Sequence, residues 1–163
     1  MNQQPWRDKA ILRLHYVTEA DYCAAAALRV ALEKAERPEL RQKLEEFRCD
    51  HCRHVRDLRK VVREEGGGLK LPCNEAQYFQ DERDALAVSE SDEEIIRCLQ
   101  TIVESTSSLY TQALEYDLPG PIPVVLKNGL TDVLRHQAWL EEALGPEEKP
   151  IILRALTFPV LFG

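Results

Sequence analysis

Between Pro38 and Gly66 nothing in the chain interrupts a helix, and within that span Leu40, Leu44, Phe47, His51, His54, Leu58 and Val61 follow one another at alternating steps of four and three. That spacing lines one seam of a helix packed among other helices. A chain with such a seam is committed to helix-on-helix packing. The seam also carries two imidazoles where core residues are expected. His51 and His54 belong to the hexapeptide Cys49-Asp50-His51-Cys52-Arg53-His54, which holds two of the four histidines and two of the five cysteines.

The neighbouring segments repeat the helical pattern. From about Asp8 to Glu36 no breaker occurs, and Ala24-Ala25-Ala26-Ala27 is a run of the best helix former. At about 100° per residue, Leu14, Val17, Asp21, Ala24, Ala25, Leu28 and Leu32 share one face. Asp21 lies near its middle, and a carboxylate there is costly unless paired, hydrogen-bonded or bound to a cation. A weaker strip, Leu12, Tyr16, Cys23 and Val30, suggests a second contact, with a partner chain or the protein's own tail. Arg37-Pro38 breaks the first helix from the second. The second runs to about Glu65 and is stopped by Gly66-Gly67-Gly68.

Residues 69–90 read as a crossover with a short helix near 74–87. Ser91-Asp92-Glu93-Glu94 matches a capping box and opens a third long helix over 92–117. Its apolar face includes Ile95, Ile96, Leu99, Ile102, Val103, Thr106, Leu109, Tyr110, Ala113 and Leu114. Pro119-Gly120-Pro121-Ile122-Pro123 reads as a loop. A fourth long helix follows to Leu144, with Val125, Leu126, Leu130, Val133, His136 and Leu140 turned inward. The expected organisation is one domain over 1–145, then a linker and apolar tail over 146–163. That tail, from Ile151 to Phe162, calls for cover, either on the same domain or on a second subunit. A homodimer is the expected assembly.

Charge and cysteine content narrow the function. Twenty-eight acidic against 21 basic residues give a net charge of −7, which argues against a surface built for nucleic acid phosphates. No stretch has the length and apolarity of a membrane span, and Met1 to Pro5 has no leader pattern, so a cytoplasmic location and no membrane partner are expected. Five cysteines without a leader read as thiols rather than as a disulfide framework. Cys49 and Cys52 fall on the flank away from the seam, where two ordinary cysteines are the simpler account.

The chain also repeats itself. Asp50 to His54 and Asp132 to His136 both read Asp-x-x-Arg-His, and 132 minus 50 is 82. At the same offset Ala31-Leu32-Glu33 returns as Ala113-Leu114-Glu115. One helical hairpin written twice, joined by a crossover, accounts for both matches.

Two such hairpins, with a histidine on the second helix of each, resemble the ferritin-like four-helix bundles, the group that includes ferritins and rubrerythrins. The resemblance covers about residues 8–144 and implies an all-α, ferritin-like four-helix bundle with a metal site in its core. In that family one Glu from each first helix and a Glu-x-x-His pair from each second helix hold two irons. His54 and His136 match the two family histidines. The Glu positions three residues earlier are His51 and Val133, and Asp21 of the first helix corresponds to Val103 at the same offset. Glu104 lies on the polar side. The resemblance therefore implies a reduced site rather than a complete two-iron centre.

Asp21, His51, His54 and His136 remain as inward donors, with Asp50 and Asp132 placed to orient rings. Three imidazoles and a carboxylate suit a single iron, zinc or manganese ion. A polar network with no metal, in which Asp21 pairs with a histidine, accounts for the same residues. On that alternative the protein is a helical scaffold or interaction partner. No substrate and no catalytic residue is indicated.

Overall fold

A computed structural model describes residues 6–70 and 79–145, with side chains from Lys9 onward, and every regular element among them is a helix. The helices are α1 (Trp6–Lys34), α2 (Pro38–Glu64), α3 (Gln80–Val88), α4 (Asp92–Ala113) and α5 (Ile122–Leu144). The apolar tail, Cys73 and the start of the expected crossover helix lie outside the described residues. No described helix is long and apolar enough to cross a membrane.

Local chemistry sets the helix ends. Pro38 occupies the first turn of α2, where its missing N–H costs nothing. Arg41 reaches back to the carbonyls of Leu32 and Ala35, at 2.7 and 3.0 Å, and satisfies acceptors that the end of α1 leaves open. At the far end of α2, Gly66 takes φ 78° while its N–H bonds the Arg63 carbonyl, and the Gly67 N–H bonds that of Val62. This is the glycine-dependent stop expected after Glu65. The Ser91 side chain accepts from the Glu94 N–H at 3.2 Å, and the Glu94 carboxylate accepts from the Glu90 N–H at 2.8 Å, so the Ser91 cap forms as expected while the returning Glu94 bond falls on the residue before the cap.

Two expected boundaries shift. The third long helix ends at Ala113 rather than 117, because Leu114 to Tyr116 tighten into turns, with the Glu115 and Tyr116 N–H groups bonding three residues back. The following loop is shorter than read: α5 starts at Ile122 and absorbs Pro123 into its first turn, where proline is tolerated. The short helix is described from Gln80, with Phe79 in the left-handed region before it, and its expected start at Asn74 lies outside the described residues.

The long helices pack in the order α1, α2, α5, α4 around a common core, each touching its two neighbours, while α3 lies against α1 and α4. Their directions follow from paired residues. Arg13 meets Gln112, and the Glu36 and Arg37 N–H groups meet Asp92, so α1 and α4 are antiparallel. Arg53 meets Asp132 and Arg135 meets Asp50, so α2 and α5 are antiparallel too. Hence α2 and α4 point the same way. The connection from Glu65 to Ser91 must return along the whole of α2, about 40 Å at 1.5 Å per residue. That is the crossover the sequence implied.

All the α2 seam residues are buried, both histidines included. On α1, Leu14, Val17, Asp21, Ala24 and Leu28 are buried as expected, with Ala25 and Leu32 at the margin. The weaker α1 strip divides: Cys23 is buried and Val30 packs on the core, while Leu12 stays 49% exposed. With α2, α3 and α4 all against it, α1 has too many neighbours to show a single apolar stripe.

Candidate metal centre

Asp21 is the fixed point of the core's polar group. It is fully buried at mid-α1, and α2 presents His51 to it, so that the His51 Nδ1–H donates to Asp21 Oδ1 at 2.7 Å. His54, three residues on, lies on the same helix face and places Nδ1 3.4 Å from the same oxygen. From α4 the buried Tyr110 hydroxyl donates to Asp21 Oδ2 at 2.6 Å. Burial alone would raise the Asp21 carboxyl, but the bonds from His51 and then His54 hold it below the usual carboxylate value. Burial and then the charge on Asp21 push the Tyr110 phenol well above its ordinary value, so it stays a donor.

His54 and His136 are each held from outside. The His54 Nε2–H donates to Asp132 at 3.0 Å and the His136 Nε2–H to Asp50 at 2.9 Å. Because a carboxylate only accepts, these bonds place a proton on Nε2 of both rings; His54 Nδ1, which also faces a carboxylate, carries a second proton when no ion is present, whereas His136 Nδ1 turns inward as a bare acceptor. Arg53 and Arg135 complete the arrangement: Arg53 bonds Asp50 and Asp132, and Arg135 bonds Asp132 and Asp50. Each half's carboxylate thus serves the other half's histidine and arginine. This reciprocity is what a hairpin written twice gives when its copies face each other. Asp50 and Asp132 do orient the rings as expected, but crosswise.

The four residues expected to form the site are only partly gathered. One donor atom from each of Asp21, His51 and His54 falls in a group whose members are all within 4.8 Å of one another. His136 stands beside this group, its ring centre 5.3 Å from that of His51, with Phe47 stacked on its other side at 4.0 Å. Its Nδ1 is buried and has no hydrogen-bond partner among the described residues. Burial and the nearby His51 push the His136 imidazole down to about 4, the bond to Asp50 opposing, so the ring is neutral and Nδ1 carries a free lone pair. Burial likewise lowers His54, but Asp21 and then Asp132 outweigh it and raise that imidazole above its ordinary value.

These residues fit one metal ion. Two donors about 2.1 Å from a tetrahedral ion stand roughly 3.4 Å apart, the spacing between His54 Nδ1 and Asp21 Oδ1. The 2.7 Å between His51 and Asp21 is a hydrogen-bond distance, so an ion would replace that proton and part the pair slightly. The unpartnered His136 Nδ1 is a buried lone pair that costs about 1–3 kcal/mol if left unmet. Among the described residues a second ion finds no such set: Val103 and Val133, the counterparts of Asp21 and His51, are buried in the core, and Glu104 is exposed. Cys49 and Cys52 are exposed on the outer flank, away from the group.

Two contributors escaped the sequence reading, Tyr110 and Gly129. Tyr110 was legible as a core residue but not as a partner of Asp21. Gly129 is buried, and a Cβ there would lie 2.6 Å from the Tyr110 ring. The signal was available in the repeat, since 129 minus 82 is 47: the second copy has Gly129 where the first has Phe47. Comparison of the chain with protein-family models, with curated proteins and with solved structures found no match.

Proposed function

We propose that this chain is a ferritin-like four-helix bundle that binds one transition-metal ion through Asp21, His51 and His54, with His136 as a further nitrogen donor, and serves in metal handling or metal-dependent oxidoreduction. The observation that carries this reading is the convergence of three buried donors with an unmet imidazole lone pair beside them. An imidazole-rich set with one carboxylate favours iron or zinc over manganese, which prefers oxygen donors. A bound ion of this kind supplies Lewis acidity and, if it is iron, one-electron chemistry. The chain's own part is to exclude water, to hold Asp21 through Tyr110, and to fix two rings through Asp50 and Asp132.

A second reading has its own support. His51, His54 and Tyr110 together leave Asp21 well partnered with no ion present, which suits a structural polar network in a scaffold protein. Elemental analysis of protein purified without an affinity tag separates the two. The metal reading expects one equivalent of iron or zinc per chain, lost in His54→Ala while the helical circular dichroism persists. No bound metal after anaerobic reconstitution with iron(II) and with zinc leaves the scaffold reading in place.

A further inference from the structure

The two halves differ at one place that bears on how the centre is reached. Over His136, Phe47 stacks at 4.0 Å and closes the ring off. Over His54 the matching residue is Gly129, and there a cavity of about 70 Å³ opens between α2 and α5. Its inner wall is His54 and Tyr110, both buried, and its outer wall includes Arg53, Asp57, Asn128 and Asp132. The cavity therefore runs from surface side chains to a member of the centre. Another cavity, lined by Lys43, Glu46, Phe47, Asp50, Arg135 and Trp139, meets the polar group through Asp50 and Arg135 and is lined by none of its histidines.

We infer that the cavity at Gly129 is the port through which a divalent cation reaches and leaves the Asp21, His51 and His54 group, an inference that rests on the metal reading above. Its walls carry hard donors that can replace water on an ion, the Asn128 amide oxygen and the Asp57 carboxylate, which among the described residues is paired only with Arg56 at the surface, while Asp132 already accepts from His54, Arg53 and Arg135. The one guanidinium, Arg53, is already held by Asp50 and Asp132. The volume admits an ion with a few of its waters and nothing much larger. His54 is the partition between the cavity and Asp21, with its Nε2–H edge on Asp132 and its Nδ1 edge on Asp21.

The test uses cobalt(II) alone as the probe, followed by its visible absorption in the full chain. Asn128→Phe places an aromatic ring at the exposed rim, Asp57→Asn removes one wall carboxylate, and Thr131→Phe puts the same bulk on α5 outside the cavity. A barrier on a shared path slows both directions equally and leaves the equilibrium alone. Uptake and chelator-driven release are therefore expected to fall together, by roughly tenfold in Asn128→Phe and less in Asp57→Asn, with stoichiometry unchanged and Thr131→Phe like wild type. If wild type loads and the two rim variants exchange cobalt at its rate, the port is wrong and the metal centre stands. If wild type takes up no metal at all, both fall.

Discussion

At the scale of single residues, the core is organised by one carboxylate and by what it costs to bury. Asp21 is tolerable at mid-α1 because three donors from two other helices reach it. Tyr110→Phe removes one of them while keeping the ring, and is expected to cost about 1.5–3 kcal/mol, the worth of a hydrogen bond to a charged group. Urea unfolding measures this, and an unchanged midpoint would remove Tyr110 from the network. The sequence made Asp21, His51, His54 and His136 visible, since polar residues at core positions stand out against a helical period. It could not show Tyr110 as a donor, because an aromatic residue on an apolar face looks the same whether or not its hydroxyl finds a partner. Nor could it show that Gly129 is small so that Tyr110 can fit, since that depends on which helices become neighbours.

At the scale of elements, one acidic residue ties the two hairpins together. Asp92, at the start of α4 and almost wholly buried, accepts from the Glu36 and Arg37 N–H groups at 2.9 and 3.0 Å and from Arg37 Nε at 2.9 Å. It therefore fastens the α1–α2 turn to the beginning of the next hairpin. Burial would raise its carboxyl, but the backbone bonds from Glu36 and Arg37, then the guanidinium, hold it below 3.8. A depressed folded value means that the stabilisation is present above the unfolded value and is lost as pH falls through the folded one. Asp92→Asn should cost about 1–3 kcal/mol at neutral pH. The gap between variant and wild type in urea unfolding should narrow as the solution is taken into the acid range below 3.8. A gap that stays constant would mean the charge contributes nothing. The Ser91 cap made the start of α4 legible, but nothing in its pattern signals that Asp92 grips another turn.

At the scale of the whole molecule, helix number, order and crossover were legible because each rests on periodicity or on a breaker. Relative placement was not. The repeat at an offset of 82 showed that α2 and α5 are copies, yet only packing shows that each copy's Asp50 or Asp132 crosses to the other's histidine and arginine. A contact in which i meets j and j meets i is what a twofold axis between identical subunits produces. Within one chain it means that the two hairpins carry matching surfaces that can recognise each other without a covalent link through 71–78. Cutting that link should leave association intact: residues 1–70 and 79–163, expressed separately and mixed, are expected to form a one-to-one helical complex in analytical ultracentrifugation. Asp50→Ala combined with Asp132→Ala should weaken that complex far more than either change alone, because each removes one of two equivalent clasps. If the fragments stay apart, the link rather than the clasps holds the halves together.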